Sequence, residues 1–234
     1  ITIPYVVKLG TQEQKERWLP RAATGEVVAA IGMTEPSGGS DLAALKTTAV
    51  RDGDGWVLNG SKTFITNGYS CDLVIVAART SPEKKARGIS LFAVDTTLEG
   101  FSRGRKLDKV GQDEADTAEM FFENIRLTDD DIIGELDGGF IHMMQYLPQE
   151  RLQCSIVSLY HADQILIETI EYCHERKAFG QSIGNFQYNK FKLAELVTKI
   201  DVTKAFLDQC VILHRQGKLP AIDAAGMRPS TTSA

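Results

Sequence analysis

Leu147-Pro148-Gln149-Glu150-Arg151-Leu152 marks the point where a first half of short runs gives way to long helical patterns. Proline suits the first turn of a helix, where its missing N–H would be unpaired in any case. Pro148 therefore predicts a helix start and places Glu150 at about the third helical position. An acid there meets the free N–H groups and the positive end of the helix dipole. The simplest reading of Glu150 is a first-turn carboxylate. Its neighbours Leu147, Leu152 and Cys154 are apolar, however. Desolvation can raise a carboxyl pKa by several units, whereas the dipole contributes about 0.3–1 kcal/mol, under one unit. On that balance Glu150 would also serve as a general base.

Downstream, Leu152, Ile156, Leu159, Leu166, Ile170 and Cys173 recur on one face of a helix expected from Pro148 to about Lys177. Phe140 to Tyr146 reads as a separate helical piece after Gly138-Gly139. A second long helix is expected from Gln187 to Arg215, apolar at Phe191, Ala194, Val197, Phe206, Cys210 and Leu213, with Gly217 and Pro220 as its stop. The stretch from Asp223 starts like a helix but ends in Pro229-Ser230-Thr231-Thr232-Ser233, a tail expected to fray.

Upstream, Ile1 to Leu9 resembles the end of a helix, and Thr11 can cap another over Gln12 to Ala22. Val27 to Thr34 is an apolar run of strand length, which predicts burial on both faces. Lys46 to Val50 and Trp56 to Leu58 flank an Asp52-Gly53-Asp54-Gly55 turn, and Asn59-Gly60 signals a hairpin into Ser61 to Thr66. Asp72 to Ala78, Ile89 to Val94 and Ala118 to Phe122 continue the series. Such a run without intervening helices predicts a mostly antiparallel barrel or sandwich, and an α+β fold for the whole. The expected division is 1–26 as the end of an N-terminal helical domain, 27–137 as a β domain and 138–234 as a helical domain.

The chain has 234 residues, 43% hydrophobic and 24% charged, enough for a real core. A net charge of -5 offers no field for a polyanion, so nucleic acid is not an expected partner. Cys71, Cys154, Cys173 and Cys210 are widely spaced, and His142, His161, His174 and His214 show no ligand grouping, so no metal is expected. No apolar run approaches the roughly 18 residues of a membrane span. Ile1 begins without initiator Met or signal-peptide form, which reads as a cut from something longer.

Two loops bear on chemistry. Glu35-Pro36-Ser37-Gly38-Gly39-Ser40-Asp41 is either an ordinary turn or a place where another molecule approaches the backbone, and its spacing is not that of a P-loop or GxGxxG. Pro82 to Gly88, with Lys84, Lys85 and Arg87, is either a solvated charge run or a contact for an anionic ligand tail.

Three stretches together resemble the acyl-CoA dehydrogenase family: Met33-Thr34-Glu35-Pro36 with Gly39-Ser40-Asp41, Asn59 through Gly68 (NGSKTFITNG), and Glu175 through Gly180 (ERKAFG) with Gln187. The likeness runs to about Leu219. The Leu147–Leu152 stretch is similar to the long-chain branch, which with the isovaleryl branch carries its catalytic glutamate on this helix, just before an arginine. Most of the family's N-terminal helical domain and its late helices have no counterpart in this sequence.

The resemblance implies FAD-dependent dehydrogenation of an acyl-CoA thioester to a trans-2-enoyl-CoA, with Glu150 removing the alpha proton and Arg151 in an orienting or substrate role. It implies that Ile31, Met33 and Thr34 run beside the isoalloxazine, that Gly39 lets the chain close on the cofactor, and that Ser40 touches FAD or substrate. Phe64, Ile65 and Thr66 would cover the flavin, although the residues alone leave Phe64 as plain strand core. Arg176, Phe179 and Gln187 would contact the FAD of an adjacent subunit; by position alone Arg176 is a helix C-terminal cation. Arg87 and Pro148 join Ser40 and Arg151 as expected substrate contacts. Electron-transfer flavoprotein and a homotetramer are the implied partners, in the mitochondrial matrix of a eukaryote or the cytoplasm of a bacterium. A non-catalytic homologue and an acyl-CoA oxidase-like flavoenzyme are the alternatives.

Overall fold

A computed structural model of the chain describes residues 1–220, 222–224 and 226. The chain divides into two compact units, Ile1–Met144 and Gln145–Ala234.

The first unit opens with α1 (Ile3–Leu9) and α2 (Gln12–Thr24). Thr11 starts α2 through a reciprocal box, its Oγ1 accepting from the Gln14 amide at 3.2 Å while Gln14 Oε1 accepts from the Thr11 amide at 2.9 Å. Gly25, at φ 81, ends the helix in the left-handed conformation. Gln14 is buried, and its Nε2 donates to the carbonyls of Asp130 (2.7 Å) and Ile132 (2.9 Å). One side chain thus caps α2 and docks it.

Seven strands follow: β1 (Ala29–Gly32), β2 (Thr48–Asp52), β3 (Gly55–Thr66), β4 (Leu73–Arg79), β5 (Ile89–Asp95), β6 (Phe101–Lys106) and β7 (Thr117–Leu127). The order is β1-β4-β2-β3-β7-β6, with β5 also on β4. Only β1 and β2 run parallel to β4; every other pairing is antiparallel. β4, apolar from Leu73 to Ala78, and β5, apolar from Ile89 to Val94 except for Ser90, are buried almost throughout, as expected of strands covered on both faces. Leu58, Met120, Phe122 and Ile125 pack with Phe92 in the core, where Trp56 meets Phe92 edge-on at 5.9 Å. The α+β class and the mostly antiparallel sheet agree with the sequence expectation.

Two local expectations are corrected. Asn59-Gly60 is not a hairpin turn; both residues lie inside the continuous strand β3, at a bulge where its register with β7 shifts between Leu58 and Gly60. A hairpin needs its two arms to pair with each other, whereas both arms here pair with β7. Asn59 completes that pairing by side-chain bonds to Asn124, at 2.9 and 3.2 Å. β1 is also shorter than the apolar run, and its burial alternates, because it ends the strand order and leaves Ile31 half-buried.

The second unit holds most of α3 (Gly139–Glu175), then β8 (Lys177–Ala178), β9 (Gln181–Ser182) and α4 (Gln187–Arg215). Helix α3 is continuous, so Pro148 lies inside it and the expected break after Tyr146 is absent. An interior proline forfeits one backbone hydrogen bond, to the residue four earlier. Tertiary contacts on both sides outweigh that loss. Gly139 is pressed against the Ile89 carbonyl, where a β-carbon would lie 2.9 Å away, Met143 is buried, and Leu152, Leu159 and Leu166 are buried further on. Glu150 is therefore about three turns into the helix, beyond the reach of its N-terminal dipole.

The α3 face predicted from Leu152, Leu159 and Leu166 is the one that packs, against Ile200, Leu207 and Cys210 of α4. The predicted α4 face is corrected: Cys210 is buried, but Phe191, Val197 and Phe206 are exposed by 66%, 36% and 42%. Helix α4 is apolar on two sides, so periodicity alone does not choose between them. The knobs of α3 choose, and Lys204 seals the pair with Asp163 at 2.7 Å. Gly217, at φ 68, and a bond from the Lys218 amide to the Leu213 carbonyl (2.8 Å) end α4 as expected. The expected fraying over Pro229–Ser233 lies outside the described residues.

Candidate functional site

In the first unit, the chain leaving β1 meets the end of β3. The Thr63 amide donates to the Thr34 carbonyl at 3.0 Å, which zips the two segments together. Beneath them lies Lys62, with no exposed side-chain surface. Its Nζ donates to Glu35 Oε1 (2.9 Å), the Ala77 carbonyl (2.8 Å) and the Met33 carbonyl (3.3 Å). The Glu35 carboxylate also accepts from the amides of Lys46 (2.6 Å) and Thr47 (2.9 Å).

Burial alone would raise the Glu35 pKa, but hydrogen bonds from Thr47, the Lys46 amide and the Lys62 ammonium outweigh it and hold it down at about 2. For Lys62 the balance goes the other way: burial pushes it down to about 8 against the pull of Glu35. The pair was visible in the sequence only as letters of a signature. The signal for its burial is an acid and a lysine each set in a run of small or apolar residues.

Above this pair, Ile31, Met33 and Thr34 are half-buried and Ser40 is exposed. Gly39 is packed so that a β-carbon would come 3.0 Å from Cγ2 and 3.1 Å from Oγ1 of Thr34. A second register shift of β3, between Lys62 and Ile65, turns Phe64 outward at φ 58 with 67% of its surface exposed. Phe64 is therefore not strand core. Ile65 is the residue in the core, while Thr66 is exposed beside it.

This cradle fits a flat conjugated ring. It offers a half-open apolar wall, the Thr34 hydroxyl, a glycine whose β-carbon would crowd that hydroxyl, and an outward aromatic. Arg87 lies on the exposed turn Pro82–Gly88, which Asp137 anchors by accepting from Thr80 Oγ1 (2.6 Å), Ser81 Oγ (2.9 Å) and Lys84 Nζ (2.6 Å). The Asp137 bond raises the Lys84 pKa and occupies its charge, leaving Lys85 and Arg87 as the outward cations of that turn.

In the second unit, Pro148, Glu150 and Arg151 are half-buried on α3. The β8–β9 hairpin presents Phe179 at φ 53 and 95% exposed, edge-on to Phe186 at 6.2 Å. Arg176, just before the hairpin, and Gln187, the first residue of α4, are exposed. The Ile183 amide bonds back to the Arg176 carbonyl at 2.8 Å, which gathers the three into one short segment. Among the described residues, no three His, Cys, Asp or Glu side chains are grouped to hold a metal, and no helix is long and apolar enough to cross a membrane.

The family model of the acyl-CoA dehydrogenase middle domain matches residues 30–125, and that of the C-terminal domain matches residues 137–233. The chain is 46% identical over 227 residues to the long-chain specific acyl-CoA dehydrogenase, mitochondrial, of Rattus norvegicus, covering 96% of this chain and 53% of that protein. It is 35% identical over 229 residues to the isovaleryl-CoA dehydrogenase, mitochondrial, of Pongo abelii, covering 97% of this chain and 54% of that one. The crystal structure of an acyl-CoA dehydrogenase from Geobacillus kaustophilus matches with a TM-score of 0.97 at 43% identity, over 100% of this chain and 62% of that chain. The chain spans about half the length of the curated relatives it matches.

Proposed function

The chain belongs to the acyl-CoA dehydrogenase family, and from that premise we propose that it dehydrogenates a long-chain acyl-CoA thioester to the trans-2-enoyl-CoA with FAD. When bound, FAD would supply the acceptor for the hydride leaving the beta carbon. Ile31, Met33, Thr34, Gly39, Phe64 and Thr66 hold its ring, with the Ile65 backbone beside them. Arg176, Phe179 and Gln187 hold the pyrophosphate and adenosine of the FAD in an adjacent subunit of a homotetramer, where a guanidinium suits a diphosphate. Ser40, Arg87, Pro148 and Arg151 contact the substrate.

Glu150 removes the alpha proton. That proton is weakly acidic, so donors aimed at the thioester oxygen must stabilise the charge that develops there. Glu150 is half-buried, and an acyl chain laid against it would exclude water that could otherwise quench the step. Arg151 is the next residue round the helix and points elsewhere, so it orients rather than transfers protons. The partner that would take the electrons from bound FAD is electron-transfer flavoprotein, in the mitochondrial matrix if the source is a eukaryote or the cytoplasm if it is a bacterium.

The observation that carries this reading is Phe64, an aromatic held outward at φ 58 beside the half-open Ile31–Thr34 wall. Backbone strain of that kind clusters where a ligand is clamped. The test is anaerobic titration of the FAD-supplemented chain with palmitoyl-CoA, beside Glu150→Gln. Bleaching of the flavin in the parent alone supports the assignment of Glu150. Equal bleaching in both removes Glu150 as the base, and hydrogen peroxide formed in air would favour an oxidase.

A further inference from the structure

We propose that the buried Lys62–Glu35 pair is a positioning device that sets the flavin-facing segment Met33–Thr34 against Phe64, and so governs how tightly the flavin ring is held. The proposal rests on the FAD reading above.

An ammonium has three donors, and Lys62 directs them at three fixed acceptors: Glu35 Oε1, the Met33 carbonyl and the Ala77 carbonyl. Holding the sheet does not require this. Lys62 faces Met120 across the β3–β7 ladder, and an apolar side chain of similar length would fill the same space without the cost of burying a charge. What an apolar side chain cannot do is fix the backbone on either side of Thr34. Lys62 holds the residue before it by its carbonyl and the residue after it by its carboxylate.

Glu35 extends the same grip to the amides of Lys46 and Thr47. Thr34 is thus fixed from below by the pair, from the side by the Thr63 amide, and against Gly39, whose β-carbon position lies 3.0 Å from Thr34 Cγ2. Lys62 also stands two residues before Phe64 on β3. One cation therefore registers both walls of the ring cradle. A shift of either wall would loosen a planar ligand while leaving the sheet core, built from Leu58, Met120 and Phe122, in place.

The test uses the whole chain stripped of flavin and titrated with FAD, following flavin fluorescence and the fine structure of the bound visible band. Two variants are compared with the parent. Lys62→Met/Glu35→Gln removes both charges without leaving one unpaired, and Glu35→Asp keeps both but withdraws the carboxylate by one methylene. Far-UV circular dichroism and melting of the flavin-free proteins report the fold. The expected result is two folded variants, with FAD dissociation constants raised at least tenfold in the double variant and by a smaller factor in Glu35→Asp, and a blurred flavin band in both.

Parent-like affinity and band shape in the folded double variant overturn the proposal. So does failure of both variants to fold, which would make the pair a part of sheet stability alone. If the parent itself takes up no FAD, the FAD reading fails first, and the parent's own titration separates that result from the others.

Discussion

A β-carbon on Gly60 would lie 2.5 Å from Oγ1 and 2.8 Å from the Cα of Thr47, so β3 passes the loop before β2 at a distance that only glycine allows. Gly60 also has φ 150, which L-residues rarely adopt. The Asn-Gly pair that reads as a turn is thus a crossing point inside a strand. Gly60→Ala is expected to cost about 2–4 kcal/mol from backbone strain and the displaced Thr47 together. For a chain of this size each kcal/mol moves the melting temperature by roughly 2–4 °C. Thermal unfolding should show a loss of at least about 4 °C; an unchanged melting temperature would mean that the bulge relaxes freely.

Phe64 has the opposite relation to its site. A bulky residue at φ 58 carries roughly 1–2 kcal/mol of left-handed strain, and its side chain is 67% exposed, so little burial offsets that strain. Glycine relieves the strain but adds about 0.5–1 kcal/mol of chain entropy to folding. Phe64→Gly should therefore leave the flavin-free protein as stable as the parent or up to about 1 kcal/mol more stable, while FAD binds more weakly. Denaturant unfolding and FAD titration measured together decide it. A destabilised variant with unchanged FAD affinity would return Phe64 to an ordinary packing role.

The Glu35 carboxyl gives stability an acid limit. Its folded pKa of about 2 lies below the ordinary 4.5, so between those values the unfolded chain binds more protons than the folded one. Stability from this group is fully present above pH 4.5 and is lost as the pH falls through about 2, for a total of about 3 kcal/mol. Lys62, with a folded pKa of about 8 against 10.5, has the same sign at the alkaline end, where stability should rise as the pH passes from 8 toward 10.5. Urea unfolding between pH 2 and 5 is expected to show close to one proton more of pH dependence in the parent than in Glu35→Gln. Identical slopes would place the acid sensitivity elsewhere.

What the sequence disclosed and what it hid divide along physical lines. The Thr11 cap, the placing of strands β4 and β5, and the Leu152–Leu159–Leu166 stripe were legible because each is decided within one element. Pro148 misled because a local helix signal was overridden by contacts on both sides of it, at Gly139 and at Leu152. Asn59-Gly60 misled because the partner of each arm was a third strand. Of the candidate site, Thr34 and Gly39 stood out through their signature, and the structure brings them into contact range. The roles of Lys62 and Glu35 depend on Ala77, Lys46 and Thr47, which no spacing rule connects to them.

The two apolar sides of α4 give a direct test of which one carries the second unit. Leu207 is 3% exposed and locked among Leu159, Leu166 and Ile200, whereas the adjacent Phe206 is 42% exposed. Truncating a buried leucine removes its transfer energy and leaves a cavity, together about 2–5 kcal/mol. Truncating a side chain that packs little costs under about 1 kcal/mol, even when the residue is larger. Leu207→Ala should therefore unfold at clearly lower urea than Phe206→Ala, with helical circular dichroism as the probe. If Phe206→Ala were the weaker protein, the helix would be held by its exposed face, and the choice of faces made by the α3 leucines would be wrong.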